Sequence, residues 1–201
     1  MDKQFHILVA YLIALQNFAK DFHYYCKSFG KHLFCDVVSD DLYDYTDEIR
    51  ENVMLGNGEL PLPSKIYLDL AAGLTPMVAN DDRMNLLSLY EFLKVGSTLI
   101  SIITANSRGE NAILDEISGH LDKAKGLTFL QLRKFETPVT EAEVEHCKAC
   151  SQKAIDRAKA KLAKIDYDNV AKTVLDYEAQ NLLVAEEEEN TLDKLSKKLG
   201  L

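Results

Sequence analysis

The sequence predicts an all-α protein, and three observations carry that prediction. Apolar residues recur at spacings of three and four over long stretches, the pattern of helices that each bury one stripe. The 201 residues include only nine glycines and four prolines, too few for a chain dominated by turns. Hydrophobic residues make up 47 % of the chain, enough to core one domain with an appendage, or two small domains. The net charge of -9, with a pI near 5.1, argues against a general nucleic-acid binder and suits a protein that attracts cations.

The first helix is expected from Gln4 to Tyr25, where Phe5, Leu8, Leu12, Leu15, Ala19 and Phe22 keep the helical alternation. Ser28-Phe29-Gly30 reads as a short turn. A second helix is expected from Lys31 to Leu55, stopped by Gly56-Asn57-Gly58. A long connection follows, with Pro61, Pro63, Gly73 and Pro76, and a short helix inside it over Ser64–Ala72. The third helix is expected over Asp81–Ala105, rich in Leu86, Leu89, Phe92, Leu93, Leu99 and Ile103, and Asn106–Gly109 breaks it. The fourth is expected over Glu110–Phe135, and Pro138 closes the unit. Short turns after the first and third helices, with a long crossover between the second and third, predict the ferritin-like variety of four-helix bundle over residues 1–138. Residues 139–201 are expected to form a separate helical extension. Thr140 with Glu143 resembles a capping box opening a helix to about Lys164. Asp166–Asn169 interrupts, a further helix runs to about Glu188, and Asn190–Leu199 forms a last short one.

The chemistry-bearing residues form a ladder: His23, His32, Asp36, Asp47 and Glu51, spaced His-x8-His-x3-Asp-x10-Asp-x3-Glu. On one continuous second helix, at about 100° per residue, Asp36, Asp47 and Glu51 fall near ~40°, ~60° and ~100° from His32. The apolar Val38, Leu42, Ile49 and Val53 fall on another face, at roughly 240–300°. His32 and Asp47 would then lie roughly 22 Å apart along the axis. One metal cannot reach both, because ligand bonds are near ~2 Å. Two copies of the helix, antiparallel across a two-fold axis, would set His32 and Asp36 of one against Asp47 and Glu51 of the other, giving two equivalent sites.

These residues resemble the Dps-type mini-ferritins, whose site pattern is His-x11-His-x3-Asp-x10-Asp-x3-Glu. From His32 to Glu51 the spacing matches without a gap. Leu42-Tyr43, Asp47-Glu48-Ile49-Arg50-Glu51 and Leu55-Gly56 look like that family's second helix and its end, and Leu121-Asp122-Lys123 like part of its fourth. The resemblance covers about residues 5–136. It implies a hollow homododecamer that oxidises Fe²⁺ with peroxide or oxygen at sites between subunits and stores ferric mineral. It also implies that His23 and His32 supply nitrogen, and Asp36, Asp47 and Glu51 oxygen, to iron, a donor set that zinc and manganese would also accept. Two departures stand out. The interval from His23 to His32 is three residues shorter than the family pattern, and the tryptophan that usually follows the first histidine is Tyr24, in a chain with no tryptophan. Tyr24 or Tyr25 is expected to intercept oxidising equivalents in its place.

Other constellations read more plainly. The four cysteines, Cys26, Cys35, Cys147 and Cys150, are expected to be reduced thiols. His146-Cys147-x-x-Cys150 lacks the second ligand pair of a structural zinc site, and Glu143-x-x-His146 is a single copy of a motif that di-iron bundles use twice. Lys148, Lys153, Arg157, Lys159, Lys161 and Lys164 make a basic segment, read as a solvated face or as a partner of the acidic run Glu186–Glu189. DNA is not an expected partner, since no lysine-rich N-terminal tail like that of some DNA-binding relatives is expected ahead of the first helix; residues 148–164 are the stretch through which it could be touched. The apolar run Ile7–Leu15 lacks a signal cleavage site, and no stretch approaches the ~18–20 apolar residues of a membrane span. A cytoplasmic location is expected, with no membrane partner. The alternative reading is a catalytically inactive ferritin-like scaffold acting through residues 139–201.

Overall fold

The computed structural model describes residues 3–167, 169, 170 and 172. The described residues are all-helical, with no strand among them. Seven α-helices follow in order: α1 (Lys3–Tyr25), α2 (Phe29–Ser39), α3 (Leu42–Glu48), α4 (Ser64–Leu74), α5 (Asp82–Ser101), α6 (Arg108–Leu132) and α7 (Glu141–Leu162). A π-helical stretch, Ile49–Met54, and a 3₁₀ turn, Leu55–Asn57, prolong α3. By contacts the chain divides into two compact units, Met1–Ile165 and Asp166–Leu201. The expected helix to Glu188, the acidic run Glu186–Glu189 and the short helix Asn190–Leu199 lie outside the described residues.

Helix α1 is the centre of the first unit. Its expected stripe is buried, but so are Ile7, Val9, Ala10 and Tyr11 outside that stripe. The reason is that α2, α3 and α5 do not cover it alone, and α4 and α7 pack against it as well. A helix apolar all round belongs inside a protein. Against α5, Tyr11 donates a 2.9 Å hydrogen bond to the Phe92 carbonyl and lies where a Cβ on residue 96 would be. Only glycine, at Gly96, leaves room for that ring.

Caps set most helix starts. Asp81 accepts from Arg83 N at 2.9 Å, and Ser107 from Glu110 N at 3.1 Å. Thr140 and Glu143 form the reciprocal capping box expected from the sequence. Glu143 also accepts from both terminal guanidinium nitrogens of Arg83, Nη1 and Nη2, which ties the start of α7 to the start of α5.

Two expectations need correction. The single helix Lys31–Leu55 is broken at Asp40-Asp41, where Asp41 takes the left-handed conformation (φ 60°) that aspartate tolerates better than most side chains. The π-helical stretch then shifts the angular phase again. Val38, Leu42, Ile49 and Val53 are still buried together, so the apolar face survives while the angles computed for one continuous helix do not. The second correction concerns the boundary at Pro138. The first compact unit runs on to Ile165, because α7 packs on α4, α5 and α1 through Cys147, Ser151, Ala154, Ile155, Ala158 and Leu162. Among the described residues, no helix is long and apolar enough to cross a membrane.

Candidate metal centre

The end of α1 and the start of α2 are joined by Cys26, Lys27 and Ser28, and this tight connection gathers three of the five ladder residues. Ser28 caps α2 by accepting from Lys31 N. The buried Asp82, at the start of α5, holds the connection from outside through Lys27 N at 3.3 Å and Lys31 Nζ at 2.6 Å. His23 and His32 are thereby laid face to face, with ring centroids 3.5 Å apart and planes tilted by 33°.

Each ring is also fixed in its own plane. The Nδ1 atoms make crossed bonds, His23 Nδ1 to the His32 carbonyl at 3.2 Å and His32 Nδ1 to the His23 carbonyl at 3.1 Å. A carbonyl oxygen can only accept, so each Nδ1 carries the proton. Asp36, one turn along α2, places Oδ1 3.1 Å from His23 Nδ1 and 3.3 Å from Lys20 Nζ. The surroundings are acidic: a 460 Å³ cleft beside Asp36 is lined by Lys20 together with Asp40, Asp41 and Asp44. The outer face of α2 is apolar, with Phe29, Leu33 and Val37 at successive turns and all exposed.

Asp47 and Glu51 lie elsewhere. Asp47 lies in the last turn of α3 and Glu51 in the π-helical stretch; both are exposed, and neither pairs with another described residue. Among the described residues, no group of three or more His, Cys, Asp or Glu side chains is arranged to hold a metal ion. Tyr24 stands edge-on to His23 at 5.3 Å and is mostly exposed, as is Tyr25.

The remaining constellations are accounted for structurally. All four cysteines are free. Burial pushes the Cys147 thiol pKa up, against the opposing effect of Ser88 at 3.6 Å, while Cys150 is exposed beside His146 at 3.8 Å. The Arg83 guanidinium, helped by Thr140, holds the Glu143 carboxyl at about 2. On the basic segment, Lys148 pairs with Glu145, and Lys161 reaches the Asp69 carbonyl at 3.3 Å.

Two residues at the site escaped the sequence reading. Lys20 lies three residues before His23, one helical turn away, a spacing that sets it beside the histidine but does not report its pairing with Asp36. Asp82 had no local signal, since its partners are more than fifty positions distant. Compared with protein-family models, characterised proteins and solved structures, the chain gives no match. The mini-ferritin resemblance therefore rests on the residues themselves.

Proposed function

We propose that this chain is a ferritin-like iron-oxidising protein whose sites form between two copies. The observation that carries the reading is the division of the ladder. Two oriented imidazoles and a carboxylate sit at the α1–α2 end, and two unpaired carboxylates, Asp47 and Glu51, sit on the far side of the Asp40-Asp41 break. A second copy placed antiparallel brings one group to the other, and a two-fold axis does so twice. The apolar outer face of α2 supports an interface there, and the acidic cleft supports attraction of Fe²⁺. Iron is the substrate. Two Fe²⁺ each give one electron to a peroxide molecule, and with two waters the products are two ferric oxyhydroxide units and four protons. Dioxygen as oxidant would follow the same logic with more electrons per molecule. The assembly into twelve subunits and the storage of mineral rest on the mini-ferritin resemblance.

The test is Fe²⁺ oxidation followed by ferric absorbance, with mass by light scattering on the same sample. Oxidation that is lost in Glu51→Ala, in a folded oligomer, supports the reading, and a stable monomer or an unchanged rate opposes it. One observation favours the alternative of an inactive scaffold: the Lys20 ammonium lies 3.3 Å from Asp36 Oδ1, where it competes with a metal ion. Wild-type protein that oligomerises without oxidising Fe²⁺ would select that alternative.

A further inference from the structure

The resemblance makes Asp36 an iron ligand, but the geometry points to a different role. Asp36 is a positioning residue for His23, and the metal-binding atoms of this half-site are the two imidazole Nε2 atoms of His23 and His32. The inference rests on the iron-site reading above and refines it.

Four facts carry it. Each Nδ1 proton faces the other residue's carbonyl, and that of His23 faces Asp36 Oδ1 as well, so in each neutral ring the lone pair lies on Nε2. Asp36 Oδ1 faces His23 Nδ1 at 3.1 Å. A carboxylate behind a ligating histidine is a familiar outer partner, fixing tautomer and ring angle and raising the basicity of the other nitrogen. Lys20 Nζ, 3.3 Å from the same oxygen, supplies a positive charge that competes with a metal for Asp36. The three-residue shortening between His23 and His32 fits this arrangement, because only Cys26, Lys27 and Ser28 separate α1 from α2. With so short a connection the two rings stack and each reaches the other's backbone.

With Asp36 in that role the half-site gives two nitrogens to the metal, and the oxygen donors are Asp47 and Glu51 of the second copy. Such a set selects a borderline divalent ion such as Fe²⁺, Co²⁺ or Zn²⁺ over Mg²⁺ and Ca²⁺, which require oxygen.

Co²⁺ is the probe, because its visible absorption reports the donor set, and the full chain is titrated. Asp36→Asn keeps an oxygen facing His23 Nδ1, so its bands should match those of the wild type with only a small loss of affinity. Asp36→Ala should keep the bands while affinity falls by about ten- to a hundredfold, the usual effect of removing an outer partner. His23→Ala and His32→Ala should each change or abolish the bands. A histidine-selective ¹⁵N spectrum of the metal-free wild type should show both rings protonated at Nδ1, and Co²⁺ should perturb the Nε2 signals. The inference is overturned if Asp36→Asn shifts the bands as the histidine variants do, or if either ring is protonated at Nε2 alone. It is also overturned if the wild type shows no Co²⁺ bands. Fe²⁺ oxidation by the same wild-type sample separates the two failures: with oxidation intact only the role of Asp36 falls, and without it the iron-site reading falls too.

Discussion

His6 is completely buried in α1, and its Nδ1 meets the Tyr67 hydroxyl at 2.7 Å. Burial disfavours the charged ring and lowers its pKa from 6.5 to about 4. The folded state therefore resists a proton that the unfolded chain accepts. Above pH 6.5 both states are neutral at this position and His6 adds no pH dependence. As pH falls from 6.5 towards 4, only the unfolded state gains the proton, so stability falls, and below 4 the loss levels off. At 1.36 kcal/mol per pKa unit, the gap between 6.5 and about 4 corresponds to about 3 kcal/mol in total. That is a large part of the ~5–15 kcal/mol by which domains are usually stable. The carboxylate with the largest resolved shift, Glu143, acts in a different window. Its depressed pKa, about 2, contributes stability that is lost only as pH drops below the ordinary carboxylate range near 4.5. Urea unfolding at several pH values between 7 and 4.5 isolates the histidine. His6→Asn keeps a polar group near the Nδ1 position but cannot titrate, so it should be less stable at pH 7 and have a flatter profile below 6.5. Parallel wild-type and variant profiles across that range would refute the reasoning.

Two further predictions concern packing. Gly96→Ala should destabilise by about 1–3 kcal/mol, because the new Cβ overlaps the Tyr11 ring in a filled core, and a wild-type melting temperature would contradict that contact. Truncation after Pro138 removes α7 and uncovers the surfaces of α4 and α5 beneath Ile155 and Leu162, each worth about 1.5–3 kcal/mol when buried. The truncated chain should bind a hydrophobic dye and lose its cooperative melt, and a sharp transition at the wild-type temperature would restore Pro138 as a boundary.

Much of the fold was legible because its signals are local. Asp81, Ser107 and the Thr140–Glu143 pair announce helix starts by side-chain chemistry, and each helix begins where its cap says. The break at Asp40-Asp41 was hidden because Val38, Leu42, Ile49 and Val53 keep a helix-like spacing across it, and neither glycine nor proline marks the turn. The π-helical stretch leaves no mark in composition. Helix α7 read as an appendage because its buried stripe is built largely from small residues, Cys147, Ser151, Ala154 and Ala158, scattered among lysines. At the candidate site, the pairing of His23 with His32 follows from their closeness in sequence. The engagement of Asp36 by Lys20 depends on how two helices cross, which no one-dimensional pattern reports.

The central claim is that each site is shared between two copies of the chain. His32→Ala and Glu51→Ala chains, each inactive alone, should be unfolded together in equal amounts, refolded and assayed for Fe²⁺ oxidation. In a mixed dimer one site carries both lesions and the other carries none. Random pairing makes half of the dimers mixed, so about a quarter of all sites should be intact and about a quarter of the wild-type rate should return. Failure to recover any activity, in samples shown by mass spectrometry to contain mixed dimers, would contradict the shared site.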